Sequence, residues 1–458
     1  MYFTMKIIIL GAGQTGCTLA TNLASEDNDI TVIDQDKDIL KDLQGRLDIR
    51  TVFGSASHPN ILDNAGADEA DMLVAVTNSD EVNMVACQIA HALFNIPTIV
   101  SRIQQYQYQD FSKQLFQRQA FPIDVIINPE KLLTSHIQRL IENPSALQVL
   151  DFAAGQVRLV AVKANYDGPL VGQPIAQLHR DMPKIDARVA AIFRKDRAIS
   201  PSGDTVIHTD DEVFFVAAKD HIRAVMSELR HLDKPYKRVI IAGGGRIGAR
   251  LAHNIEHDHS VKLIERSSNR CNQLSEMLDN TIVLHGSASD QDLLTEENIE
   301  STDVFCALTS SDETNIMASM LAKRLGAHTT MTLINNPAYA DLIEDGVIDI
   351  AISPQQTTMS SLLAYVRRGD VSNVHSLRRG AAEAIEIVAH GDSKTSKVVG
   401  CRLDQIALPD DTTFGAIVRN EEVLMAHDNL VIHNNDHVIL FVADRHHISD
   451  VEQLFTVN

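Results

Sequence analysis

The sequence predicts an α/β protein built twice over: a doubly wound parallel-sheet domain followed by a small α+β domain, then the same pair again. Three observations predict it. A glycine-rich loop behind an apolar strand occurs near residue 10 and returns 232 positions later. Two further motifs return at the same spacing. Between them, short apolar runs rich in β-branched residues alternate with stretches of helical spacing, the βαβ pattern of a sheet buried on both faces.

The first element is Lys6-Ile-Ile-Ile-Leu-Gly-Ala-Gly-Gln-Thr-Gly, which returns as Arg238-Val-Ile-Ile-Ala-Gly-Gly-Gly-Arg-Ile-Gly. Gly11, Gly13 and Gly16 thereby map onto Gly243, Gly245 and Gly248. Gly54-Ser-Ala-Ser returns as Gly286-Ser-Ala-Ser, and Thr77-x-Ser-Asp-Glu-x-Asn as Thr309-x-Ser-Asp-Glu-x-Asn. In the first copy strands are expected over residues 7–10, 30–33, 73–76 and 97–101, with helices over 16–24 and 82–93. A second, smaller repeat follows each copy: Ile192-x-Arg194 through Val206-Ile-His-Thr-Asp-Asp-Glu-Val returns 225 positions later as Ile417-x-Arg419 through Val431-Ile-His-Asn-Asn-Asp-His-Val, and Gly172 pairs with Gly400. The drop from 232 to 225 implies residues lost from the second copy, and a domain boundary is the expected place for the loss. The smaller blocks carry alternating runs over 157–162, 189–193 and 213–216. Asp210-Asp211 and Asn435-Asp436 stand where a tight turn needs tolerance of positive φ. Pro- and Gly-bearing stretches at 142–145, 233–236 and 367–370 divide the chain into domains over 1–142, 146–232, 236–366 and 371–458.

Composition narrows the function. With 40 basic against 61 acidic residues the net charge is −21, which repels nucleic-acid backbones and anionic lipid alike. Aromatics are 5% of the chain and Trp is absent, too little for a base-stacking platform. Neither nucleic acid nor direct lipid binding is therefore expected. Five scattered cysteines without a C-x-x-C pair fit a reducing cytosol, and neither a secretory leader nor an apolar run of spanning length is visible. The histidines show no metal-ligand spacing, so no metal is expected.

The glycine loops carry the chemistry. Each follows a strand, opens a helix and has an acid about 20 residues on, Asp34 and Glu265. The first glycine makes the turn, the second admits a pyrophosphate and the third packs helix on strand, while the helix N-terminus supplies NH groups. An acid there accepts from a ribose diol and disfavours a 2′-phosphate, favouring NAD(H) over NADP(H), and it has no evident structural duty of its own. ATP or ADP satisfies the same contacts. The candidate ligand contacts are Gly11, Ala12, Gly13, Gln14, Thr15, Gly16 and Asp34, with Gly243, Gly244, Gly245, Arg246, Ile247, Gly248 and Glu265 in the second copy. Ser55 and Ser287 lie where an adenine would be flanked, or in a plain polar turn. Thr77 and Thr309 end the fourth strand on its ligand side, whereas Ser79, Asp80, Ser311 and Asp312 are accounted for as helix N-caps. Arg246 meets phosphate or solvent, and Arg102 meets phosphate, another subunit or a surface acid. The small blocks either bind a second effector or only hold subunits together, and lacking a convergent polar cluster they are expected to do the latter.

Two rival readings fit less well. An NAD-dependent oxidoreductase needs a proton-transfer residue at the nicotinamide, but the one Tyr-x-x-x-Lys pair, Tyr2 and Lys6, precedes the first strand. A nucleotide-sensing transcription regulator needs a DNA-binding segment and a basic face, and the repeats leave no room for one.

The whole chain resembles the tandem RCK (KTN) family of Trk potassium-uptake regulators. Gly66-Ala-Asp-Glu-Ala-Asp-Met-Leu-Val-Ala-Val-Thr, Arg188-Val-Ala-Ala-Ile-Phe-Arg, Asp349-Ile-Ala-Ile-Ser-Pro-Gln-Gln and Ser376-Leu-Arg-Arg-Gly carry the resemblance beside the glycine loops. It implies two Rossmann-like domains, each followed by an RCK C-terminal domain, and no catalytic activity. It also implies a homo-oligomeric, tetrameric ring on the cytoplasmic face of a TrkH- or TrkG-type membrane subunit, its gating shifted by NAD(H) and by ATP or ADP. Two departures stand out: serine in the turn after Gly54 and Gly286, where relatives are often acidic, and Asn335-Asn336-Pro337 where they tend to be basic.

Overall fold

A computed structural model describes residues 5–457 except 25–27, 118, 183–184, 196, 200, 231–233, 337, 340–347, 367–369, 378–381 and 428. Parts of the linker candidates at 233–236 and 367–370, Pro337 and the end of the 376–380 motif thus lie outside the described residues.

Among the described residues the chain forms four sheets. The first comprises β1 (Lys6–Leu10), β2 (Asp29–Asp34), β3 (Arg50–Phe53), β4 (Met72–Ala75), β5 (Thr98–Arg102) and β6 (Val125–Ile127), all parallel in the order β3-β2-β1-β4-β5-β6. Its central strands are buried on both faces, as their unbroken apolar character requires. The order reverses between β1 and β4, and a doubly wound sheet binds ligands at the carboxyl ends of its strands there. The next sheet is antiparallel: β7 (Ala146–Phe152), β8 (Val157–Lys163), β9 (Ala187–Arg194), β10 (Arg197–Ile199) and β11 (Glu212–Ala218), ordered β10-β9-β11-β8-β7.

Both sheets recur. β12 (Arg238–Ala242), β13 (Ser260–Glu265), β14 (Ile282–His285), β15 (Val304–Ala307), β16 (Thr329–Leu333) and β17 (Ile350–Ile352) repeat the parallel order, β14-β13-β12-β15-β16-β17. β18 (Val371–Leu377), β19 (Ala382–Val388), β20 (Thr412–Arg419), β21 (Glu422–Met425) and β22 (His437–Val442) form a second antiparallel sheet, ordered β18-β19-β22-β20-β21. The fold class is therefore the one the repeats predict.

The lost residues are not at a domain boundary. Asp124 accepts from Ile99 N at 2.8 Å and Asp349 from Thr330 N at 2.8 Å, so β6 and β17, whose strands pair within the parallel sheets, already keep the shorter spacing. Tyr108 and Tyr339, which donate to Glu81 and Glu313 at 3.0 and 3.1 Å, still keep the longer one to within a residue. The deletion falls between those tyrosines and Asp124 or Asp349, in the connection between the last two strands of the parallel sheet.

The repeated small-block motif is a latch. Arg194 Nε donates to Asp211 Oδ1 and its Nη2 to Oδ2, both at 2.8 Å, while Arg419 grips Asp436 at 2.9 and 2.7 Å. The turns before β11 and β22 take their positive φ at Asp210 (69°) and Asn435 (66°). Gly172 and Gly400 correspond, donating to Ile207 O and Ile432 O at 2.7 and 2.8 Å with φ of 81° and 85°.

By packing, the chain divides into two compact units, residues 1–133 with 354–362, and 134–353 with 363–458. Inside the larger unit the two antiparallel sheets share one core, in which Phe152, Phe193 and Phe214 join Leu377, Ala384, Ile439 and Phe441. Polar contacts stitch the seam: Ala153 N donates to Glu386 Oε2 at 2.9 Å and Gln148 Nε2 to Ser376 O at 3.0 Å. Among the described residues no helix is long and apolar enough to cross a membrane.

Candidate functional site

At the carboxyl ends of β1–β5 the first unit opens a cavity of 620 Å³. Of the residues singled out from the sequence, Gly11, Gly13, Gln14, Thr15, Asp34, Thr77 and Arg102 line it. Ala12, Gly16 and Ser55 do not; each serves the frame instead. The cavity also has walls that sequence reasoning missed, Gln35, Asp36 and Ile39 beyond β2 and Val76, Asn78 and Val82 around β4, while Gly54 and Ala56 beyond β3 belong to the Gly-Ser-Ala-Ser motif that the sequence did single out. Their common signal is position, since all lie between a strand's carboxyl end and the first turn of the helix that follows it.

The three glycines differ in what surrounds them. Gly11 has φ of 101° and lies against the backbone of Thr77, so a side chain there is strained and crowded. A Cβ at Gly16 would sit 1.8 Å from Gly11 O, so the helix Gln14–Ala24 can lie on β1 only if this residue is glycine. At Gly13 a Cβ meets nothing within 4 Å, which leaves the backbone open toward the cavity. In the second copy Gly248 would place its Cβ 1.9 Å from Gly243 O, and Gly245 is again open.

The acid has a structural duty that the sequence did not reveal. Asp34 Oδ2 accepts from Ala12 N at 2.5 Å and Oδ1 from Asp36 N at 2.8 Å, tying the glycine loop to the end of β2. Glu265 repeats this, accepting from Gly244 N at 2.9 Å and Ser267 N at 2.8 Å. Each carboxylate oxygen has a second lone pair, so the brace leaves acceptor capacity toward the cavity.

The threonine motif is likewise a brace. Asn83, fully buried, accepts from Thr77 N at 3.1 Å and Thr77 Oγ1 at 2.6 Å, and donates to Thr77 O and Arg102 O. It pins the ends of β4 and β5 together. Asn315 does the same for Thr309 and Leu333 O. Ser79 and Ser311 are the N-caps, accepting from Val82 N and Thr314 N. Asp80 and Asp312 are not caps. Their buried carboxylates accept from the backbone of Gln104 and Gln105, and of Asn335 and Asn336, and so fix the chain as it leaves β5 or β16.

In the second copy Arg246 opens the helix Arg246–Ile255 and is exposed, with Ile247 half-buried behind it. Arg270 donates from Nε to Gly244 O at 2.9 Å. The position matching Arg102 at the strand end is Leu333, buried. Ser55 bonds to Ser57 and Ser287 accepts from Ser289 N, a polar turn in both copies. Beside this copy, Glu256, His257 and Asp279 lie close enough together to suggest a metal group. Glu256, however, already accepts from Asn280 N at 3.0 Å and from Thr281 N at 3.1 Å.

The relatives agree with the geometry. The TrkA-N domain family matches residues 7–129 and 239–354, and the TrkA-C domain family residues 159–230. Proteins named Trk system potassium uptake protein TrkA are 62% identical in Halomonas elongata, over 99% of both chains, and 60% identical in Vibrio alginolyticus, over 98% of both. Among solved structures, the GsuK RCK domain superposes with a TM-score of 0.61 over 99% of this chain and 95% of that one, at 15% identity. The GsuK channel bound to NAD gives 0.62 over 99% and 78%, also at 15%. The chain belongs to the TrkA family of Trk potassium-uptake proteins.

Proposed function

We propose that this chain is a regulatory subunit of a Trk potassium-uptake system, binding NAD(H) and adenine nucleotides at its glycine loops to bias the gating of a membrane-embedded partner. The observation that carries the reading is the 620 Å³ cavity at the switch point of the first sheet, with an open glycine, a helix N-terminus and Asp34 converging on it. Gly11, Gly13, Gln14 and Thr15 would hold the pyrophosphate, Asp34 the ribose diol, and Arg102 the charge at the far end. Gly243 to Gly248 and Glu265 would do so in the second copy. The solved GsuK channel with NAD is a precedent for such a ligand on this fold.

The partner is a TrkH- or TrkG-type potassium channel subunit, met at the cytoplasmic face by a tetrameric ring of these chains, each read as four domains. A ligand shifts that ring only through unequal affinity for its two states. Catalysis is not part of the reading. Among the described residues, the cavity lining offers no His, Tyr, Lys or Cys to move a proton at a nicotinamide.

Calorimetric titration of the whole chain with NADH, NAD, ATP, ADP and NADPH tests this, beside Asp34→Asn and Arg102→Gln. Expected are saturable binding of the unphosphorylated dinucleotide, rejection of NADPH at the first loop, and weakening of about tenfold in Asp34→Asn. Absence of any nucleotide binding by the folded wild type overturns the proposal.

A further inference from the structure

The two glycine loops share a backbone but not a charge. The ends of β2 and β13 align Asp34 with Glu265, and hence Gln35, Asp36 and Ile39 with Arg266, Ser267 and Arg270. The starts of the following helices align Gln14 with Arg246. The carbonyls gripped by Asn83 and Asn315 align Arg102 with Leu333. The first set holds two acids, Asp34 and Asp36, against one arginine, a net charge of −1. The second holds Glu265 against three arginines, a net charge of +2. The cations have also moved. In the first copy the cation stands at the end of β5; in the second all three lie on the side of the glycine loop and β13.

Arg270 is the informative one. Its Nε is fixed on Gly244 O at 2.9 Å and its Nη1 bonds Gln273 at 3.1 Å, so the guanidinium is held against the glycine loop and does not sweep through solvent. Arg246 and Arg266 are exposed, and taken alone would pass for a solvated face. Arg270 fixed on the phosphate-binding loop, Arg246 opening its helix and Arg266 just beyond β13, with Leu333 in place of the distal arginine, favour a ligand whose negative charge is concentrated at that loop.

We infer that the second loop takes a nucleoside triphosphate in preference to a dinucleotide, with Arg270 and Arg246 setting that preference, while the first loop takes the dinucleotide. The inference rests on the nucleotide reading above. Glu265 disfavours a 2′-phosphate, so the extra phosphate belongs on the 5′ chain, as in ATP.

Hydrogen exchange of the full chain, titrated separately with ATP, ADP, NADH and NADPH, reads each loop by its own peptides, residues 11–18 and 243–250. ATP is expected to protect 243–250 at concentrations about tenfold below those NADH requires there, with the order reversed at 11–18. Arg270→Gln should raise the ATP concentration needed at the second loop about tenfold and leave NADH protection of the first unchanged. Because Arg270 also braces Gly244, a second variant at the exposed Arg246 is needed, and Arg246→Gln should shift ATP in the same direction. Equal preference at both loops, or NADPH ahead of ATP at the second, overturns the assignment while leaving nucleotide binding intact. Protection of neither loop by any nucleotide overturns the underlying reading as well.

Discussion

At the scale of single residues, Asp34 and Glu265 show how one side chain serves frame and site together. Each carboxylate accepts two backbone NH groups, one from the glycine loop and one from the turn beyond its own strand. Removing the acceptor leaves those donors to water or to nothing, so Asp34→Ala should cost about 1–2 kcal/mol in urea unfolding without any ligand. An unchanged midpoint would mean that the loop holds itself. The sequence pointed to these acids because their type and spacing are chemically specific. It could not show the brace, because Ala12 and Asp34 meet only once β1 and β2 are paired. The same blindness misplaced Asp80 and Asp312. A cap is a local pattern and easily read, whereas an acid that grips a backbone some 24 residues away is not.

At the scale of elements, the strand–loop–helix unit was legible because its requirements are steric and local. Gly16 can only be glycine with Gly11 O 1.8 Å from where its Cβ would be, and Gly13 meets no such obstacle. These facts separate folding from binding. Gly16→Ala should push the helix Gln14–Ala24 off β1 and destabilise the chain by about 2–3 kcal/mol. Gly13→Ala should unfold within about 0.5 kcal/mol of wild type yet bind NADH at least several-fold more weakly, because its Cβ points where a pyrophosphate would approach. Thermal unfolding and titration of the two variants check the pair. Equal losses of stability would erase the distinction. The connection between β5 and β6 was the illegible element. Its length differs between copies, and counting residues cannot say on which side of a sheet boundary the difference falls.

At the scale of the whole molecule, the four-sheet plan followed from the repeats, but the shared core of the two small sheets did not. Their seam joins residues more than 200 positions apart, such as Gln148 with Ser376 and Ala153 with Glu386, and no periodicity announces contacts of that range. The seam also makes stability depend on pH. His375 donates from Nε2 to Asp151 O at 3.2 Å and sets its ring edge-on to Phe152 at 4.9 Å. Burial pushes it down to about 4, and burial together with the Arg139 charge pushes His136 down to about 4 as well. An unfolded chain returns both to about 6.5 and takes up protons that the folded one refuses. The stability they contribute is therefore complete above pH 6.5 and is lost as the pH falls from there toward 4. Full burial would make this about 3 kcal/mol for each ring, but both residues are only half-buried, and screening lowers the figure to about 1 kcal/mol. Urea unfolding of the larger unit should thus weaken between pH 7 and pH 5 by about 1–2 kcal/mol. His375→Gln, which keeps a donor without a titrating ring, should flatten part of that slope. A slope identical in wild type and variant would place the pH dependence elsewhere than in the seam.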